Sequence, residues 1–224
     1  MTELDALRAL ADADKAEQMA AYHKAPRPYL GVSNPQIDEL VAEWRGGCDL
    51  EGRIRLASDL WASDIHEARI AAAKLLTQAR IRPDDAVWAL IASWVPDFDG
   101  WAIADHAMIA GQKRLVAEPA RLDQVESWLD HPNTWTRRAA LVGTLPWAKM
   151  NNPKPGDLAA RERILVWAAR LADDRDTFIQ KAIAWWLRDL SKRDAPRVRA
   201  FLADHGPRMK PFARKEAARL VQDR

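Results

Sequence analysis

In the segment GWAIADHAM, Asp105 stands four residues after Trp101, so a helix through this stretch places a carboxylate and an indole on one face. An electron-rich indole attracts a cation. A carboxylate at short range stabilises positive charge more strongly still where water is excluded. The pair therefore suits a reaction that develops positive charge on a sugar ring, and cleavage of a glycosidic bond is the main example. Asp105 could also orient or deprotonate the attacking water. The plainer alternative is an ion pair between Asp105 and a cation of a neighbouring helix, such as Arg69 or Arg138.

The position of Asp105 recurs along the chain. The segments EARIAAAKLL, IADHAMIAG, TRRAALVGTL, IQKAIAWWL and ARKEAARLV each set an ionisable residue ahead of a small, Ala-rich helical core. Those residues are Arg69, Asp105, Arg138, Lys181 and Lys215, at intervals of 36, 33, 43 and 34 residues, within the range of helical-repeat periods. Four are cations, and with the adjacent Arg137 they could follow a phosphate backbone. They could equally pair with neighbouring loops or face water, as in a protein-binding scaffold.

Tryptophan is over-represented, with 11 in 224 residues. Trp44, Trp61, Trp88, Trp94, Trp128, Trp147 and Trp167 fall at apolar helical positions and read as core. Trp101, Trp135 and Trp185 lie beside the ionisable slot, and Trp185 follows Lys181 by one turn. Trp186 is rotated about 100° from Trp185 and is expected to pack inward. The histidines at 23, 66, 106, 131 and 205 show no metal-ligand spacing, and His106 reads as a cap or core-edge residue. No phosphate-loop, dinucleotide or nucleophile-elbow motif occurs.

These residues need helices to position them. Val, Ile and Thr are sparse beside Ala, Leu, Arg and Trp, and no strand-length alternation stands out. The chain reads as one or two helices over 3–25, another over 33–45 opened by Ser33-Asn-Pro35, and then five pairs. The pairs are 50–62 with 64–79, 83–94 with 99–112, 119–130 with 132–147, 157–172 with 174–192, and 194–204 with 209–223. The loop MNNPKPG at 150–156 accounts for the longest interval. The expected fold is all-α, a right-handed solenoid of five to six HEAT-like pairs in one domain over 1–224, with the second helices lining a concave face.

Composition bounds the rest. A net charge of +2 means that nucleic-acid binding would rest on where charge lies. The single Cys48 excludes an intramolecular disulfide and a Cys-based zinc site and fits a reducing cytoplasm. The acidic amphipathic start lacks the apolar core of a signal peptide, and no apolar run reaches the ~18 residues of a membrane span.

Four stretches together resemble a known family, the AlkD-type DNA alkylation repair proteins, which are HEAT-like-repeat glycosylases. They are MAAYHK…YLGVSNP at 19–35, GWAIADHAM at 100–108, NTWTRRAAL at 133–141 and FIQKAIAWWLRDLSK at 178–192. The resemblance covers nearly the whole chain. Where family members often carry a second aromatic before the Trp and an acid after it, this chain has Gly100 and Ala102. The resemblance implies excision of cationic N3- and N7-alkylated purines from duplex DNA without metal, cofactor or base flipping, and the chain is expected to act as a monomer. It implies that Asp105 stabilises the sugar cation and positions water, and that Trp101 and Trp185 contact the lesion deoxyribose. It implies further that Arg138 holds the backbone near the lesion and that Tyr22 approaches it. Phosphate contacts from Lys181, Lys215, Arg69 and Arg137 rest on the recurring slot alone.

Overall fold

Side chains mark where the first helices begin. Thr2 accepts the Asp5 N–H at 3.2 Å and Asp12 accepts that of Lys15 at 3.1 Å, which divides the N-terminal stretch into α1 (Glu3–Ala9) and α2 (Ala13–His23). Gln36 reaches back to the Ser33 N–H at 3.0 Å and opens α3 (Asn34–Gly47), with Pro35 in its first turn. Asp49 caps α4 (Leu50–Ala62) through the Gly52 N–H at 2.8 Å. The computed structural model describes residues 2–221, all in helices, turns or loops. The chain clusters into two compact units, Met1–Arg114 and Leu115–Arg224.

The first unit continues with α5 (His66–Leu75), α6 (Asp85–Trp94) and most of α7 (Trp101–Ala117). α5 packs against both α3 and α4, and α6 against α4. Its Ala68, Ala71, Ala72 and Ala73 are fully buried, because small side chains let neighbouring helices approach closely. Arg114 is fully buried too. It donates to the carbonyls of Gln78 at 2.6 Å, Ala79 at 3.1 Å and Ile81 at 3.3 Å, and pairs with Asp84 at 3.2 Å. One guanidinium thus satisfies a loop that would otherwise leave polar backbone without partners.

The second unit holds α8 (Leu122–Glu126), α9 (Thr134–Gly143), α10 (Leu145–Lys149), α11 (Pro155–Arg170), α12 (Thr177–Ser191), α13 (Ala195–His205) and α14 (Pro211–Ala217). α12 is its centre and touches α9, α10, α13 and α14. Its Ile179, Ile183, Trp186, Leu187 and Leu190 are fully buried, each contributing about 1.5–3 kcal/mol of apolar transfer. The helix expected over 132–147 is broken at Thr144, because Pro146 has no N–H for the continuing ladder. The expected 119–130 helix is instead a 3-10 turn over Pro119–Arg121, α8 and a second 3-10 turn over Ser127–Asp130, with Pro119 at its first position. The 64–79 helix is shortened at its start, where Asp64 takes a left-handed φ of 56°. The last helix ends at Ala217, and residues 222 and 223 of its expected span lie outside the described residues. All seven tryptophans expected in the core are buried, and so is Trp186.

Candidate functional site

Trp101 is the first residue of α7, and Asp105 lies one turn along the same face. Both are half-buried while Ala102, Ile103 and Ala104 between them are buried, so the pair is turned off the core. The start of α7 is held from a distance in sequence. The side chain of Arg27, 2% exposed, pairs with Asp99 two residues before Trp101, and with Asp64 at 3.2 Å. Asp64 in turn accepts Arg69 at 3.0 Å, so two arginines and two aspartates share one cluster. Gly100 supplies the carbonyl that receives the first α7 ladder bond, from the Ala104 N–H at 3.1 Å.

Trp101 has aromatic company. Tyr22, 70% exposed, meets it edge-on with ring centroids 6.1 Å apart, and His23 lies 5.3 Å from it. Behind His23, the rings of His66 at 4.5 Å and Tyr29 at 6.1 Å continue the cluster into the core. A cavity of about 320 Å³ opens among these rings, with His106 and Ser33 also on its wall. Burial, with the nearby His23 and Arg27 charges, lowers the His66 pKa to about 3, so its imidazole is neutral at any ordinary pH. Burial likewise pushes His23 down against the pull of Glu67, and His106 down with help from Lys74 and against the pull of Asp105.

The tyrosine-leucine-glycine turn beside this cluster is built on one buried carboxylate. Glu67 is fully buried and accepts the N–H groups of Leu30 at 3.0 Å and Gly31 at 2.8 Å. Gly31 takes φ +78°, and a Cβ there would lie 2.2 Å from the Asp12 carbonyl oxygen. Only glycine fits. α2, which carries Tyr22, is thereby fastened to α5.

In the second unit, Arg138, Lys181 and Trp185 line one cleft of about 460 Å³ with Arg188, Phe212 and Glu216. Arg138 is 5% exposed and donates to the Phe178 carbonyl at 2.9 Å, tying α9 to the start of α12. Lys181 is exposed, its ammonium 5.1 Å from the Phe178 ring centroid, and the Trp135 ring lies 4.6 Å from the same centroid. Lys215 is exposed on α14.

The recurring cation thus takes two forms. Lysines at the slot reach water. Arginines at the slot bond to backbone carbonyls: Arg69 donates to the Trp61 carbonyl at 3.2 Å and lies over that ring, and Arg138 donates to the Phe178 carbonyl. Arg137 is engaged as well, with Asp174 at 2.9 Å and the His131 and Pro132 carbonyls at 2.8 and 2.9 Å. The reason is geometric, since a planar fork with five donors can satisfy several carbonyls and an ammonium cannot do so as rigidly. The residues that sequence reasoning missed are Arg27, Glu67, Asp99 and the histidines around Trp101. In the sequence Glu67 shows only as an acid directly after His66, and neither its burial nor its Leu30 and Gly31 partners are visible there.

A family model described as DNA alkylation repair enzyme matches residues 4–221. Among solved structures, a predicted DNA alkylation repair enzyme from Enterococcus faecalis superposes with a TM-score of 0.78 at 20% identity, covering 96% of this chain and 98% of that one. AlkD2 from Streptococcus mutans superposes with a TM-score of 0.63 at 17% identity, over 94% and 97% of the two chains. The smu.31 protein of Streptococcus mutans UA159 gives 0.62 at 19% identity, over 84% and 91%. The all-α, HEAT-like fold is common to them. No curated protein matches the chain. Among the described residues, no helix is long and apolar enough to cross a membrane.

Proposed function

The chain belongs to the DNA alkylation repair enzyme family, and on that premise we propose that it is a glycosylase for positively charged N3- and N7-alkylated purines in duplex DNA. An alkylated purine of this kind already carries a positive charge. When its glycosidic bond breaks, the bonding pair leaves with the base, which departs neutral, and the positive charge passes to the sugar. The Asp105 carboxylate stabilises that charge and orients the water that adds to the anomeric carbon, taking up or passing on its proton. The Trp101 and Tyr22 rings offer π-faces and edges to the cationic nucleotide. The observation that carries this reading is the meeting of Tyr22 and Trp101, 6.1 Å apart from two distant helices, one turn ahead of Asp105.

The second unit contributes binding. Lys181 and Lys215 contact phosphates, and Trp185 and Arg138 form the wall of a cleft that grips the DNA strand. Arg69 and Arg137 act one step back, bracing the corners from which Asp64 and the 131–134 turn are displayed. Incubation with a duplex containing 7-methylguanine, followed by alkaline cleavage of abasic sites, tests the proposal. Release above the spontaneous rate supports it, and release at the spontaneous rate overturns it for that substrate.

A further inference from the structure

The cavity beside Trp101 has a chemistry that the excision step does not use. Its wall carries the rings of Tyr22, His23, His66, Trp101 and His106, with Ser33 among the polar groups. His66 is 2% exposed, and neither of its ring nitrogens has a hydrogen-bond partner in the protein. Buried polar atoms normally find partners, so two on one wall residue of a cavity mark a place where a ligand can supply them. Tyr29 at 4.7 Å and His23 at 4.5 Å pack against that imidazole and hold it in the cavity wall. Among the described residues no set of His, Cys, Asp or Glu could hold a metal ion, so these imidazoles are read as hydrogen-bonding groups.

The volume, about 320 Å³, lies at the lower end of the range of small-molecule sites and suits one bicyclic ring better than a nucleotide. A neutral imidazole presents one N–H and one lone pair, complementary to a heterocycle edge that carries both kinds of group. The surrounding π-faces favour a flat partner. No carboxylate or ammonium lines the cavity, and burial holds all three histidines toward their neutral forms. A charged ligand would lose its hydration there without a counter-charge in return.

We infer that this cavity is a binding site for a free, neutral purine base, with the His66 ring edge as its hydrogen-bonding anchor and Trp101 at its mouth. The inference rests on the excision proposed above, because that reaction turns a cationic nucleotide into a neutral base beside Trp101. The site would then hold the product and would be closed to the cation still joined to DNA. Added free base would slow turnover by occupying it.

The test uses the full chain without DNA, titrated with 3-methyladenine by calorimetry, and with 3,9-dimethyladeninium as a permanently cationic counterpart. One saturable site for 3-methyladenine is expected, with affinity at least tenfold above that for the cation. His66→Phe keeps the flat ring and removes both nitrogens, and it should weaken binding at least tenfold. The same substitution should relieve inhibition of excision by added 3-methyladenine. In the unsubstituted protein, the ¹⁵N resonances of the His66 ring should move on saturation, a readout that does not depend on the variant folding. Absence of saturable binding, equal binding of the cation, or binding that leaves the His66 resonances in place would overturn the inference. Base binding without excision would overturn the glycosylase reading and leave the site, whereas excision without base binding would do the reverse.

Discussion

His66 shows how a single buried side chain ties stability to pH. Its pKa is lowered to about 3 in the folded protein, while the unfolded chain titrates near 6.5. Between those values the unfolded state binds a proton that the native state refuses, so stability falls as the pH drops through this window. The slope for one proton is about 1.4 kcal/mol per pH unit. Thermal melts between pH 7 and pH 4 should therefore show a falling midpoint, and His66→Phe should flatten that dependence. A variant with an unchanged slope would mean that other groups carry it. Gly31 is a second residue-scale test. Alanine there meets both a positive φ and the Asp12 carbonyl at 2.2 Å, so Gly31→Ala should cost more than about 2 kcal/mol, or roughly 4–8 °C in midpoint. A midpoint within about 1 °C of the parent, by the same order-of-magnitude scale, would show that the turn has relaxed.

At the scale of elements, the question is what holds the start of α7. Arg27 answers it, through Asp99 just before the helix and Asp64 at the α4–α5 corner. Arg27→Met leaves both carboxylates without this partner. Because the Asp64 and Asp99 side chains are 51% and 33% exposed, the expected loss is about 1–3 kcal/mol, less than the roughly 3–5 of a fully buried pair. Urea denaturation measures that loss. Excision by the still-folded variant should fall at least tenfold, since a misplaced reacting group costs far more in rate than in stability. Asp99→Asn should share the kinetic defect, and normal excision in both would rule out a positioning role for the cluster. Element identity was largely legible in the chain: α4 spans the residues its pattern predicts, and Ser33-Asn-Pro35 opens α3 as expected. The breaks were less so. Pro146 divides a continuous apolar pattern and Asp64 shortens α5 through a left-handed turn, and neither is visible in periodicity. At the site, the spacing of Trp101 and Asp105 gave their shared face. It could not give Arg27, whose partners are 37 and 72 residues away, nor separate slot arginines that cap carbonyls from slot lysines that reach water.

For the molecule as a whole, a net charge of +2 leaves DNA affinity to a few well-placed cations. Lys181 and Lys215 are the exposed ones at the recurring slot. Lys181→Gln and Lys215→Gln should each weaken duplex binding and reduce the slope of log affinity against log salt by roughly 0.9 for each phosphate no longer neutralised. Unchanged slopes would place the DNA elsewhere. The central claim, however, concerns chemistry at Asp105. Single-turnover release of 7-methylguanine from duplex DNA, compared between the parent and Asp105→Asn, tests it most directly. Release well above the spontaneous rate is predicted for the parent, with a loss of at least about 100-fold in the variant and duplex binding retained. Equal release by both proteins, or none by either while both bind DNA, would contradict it.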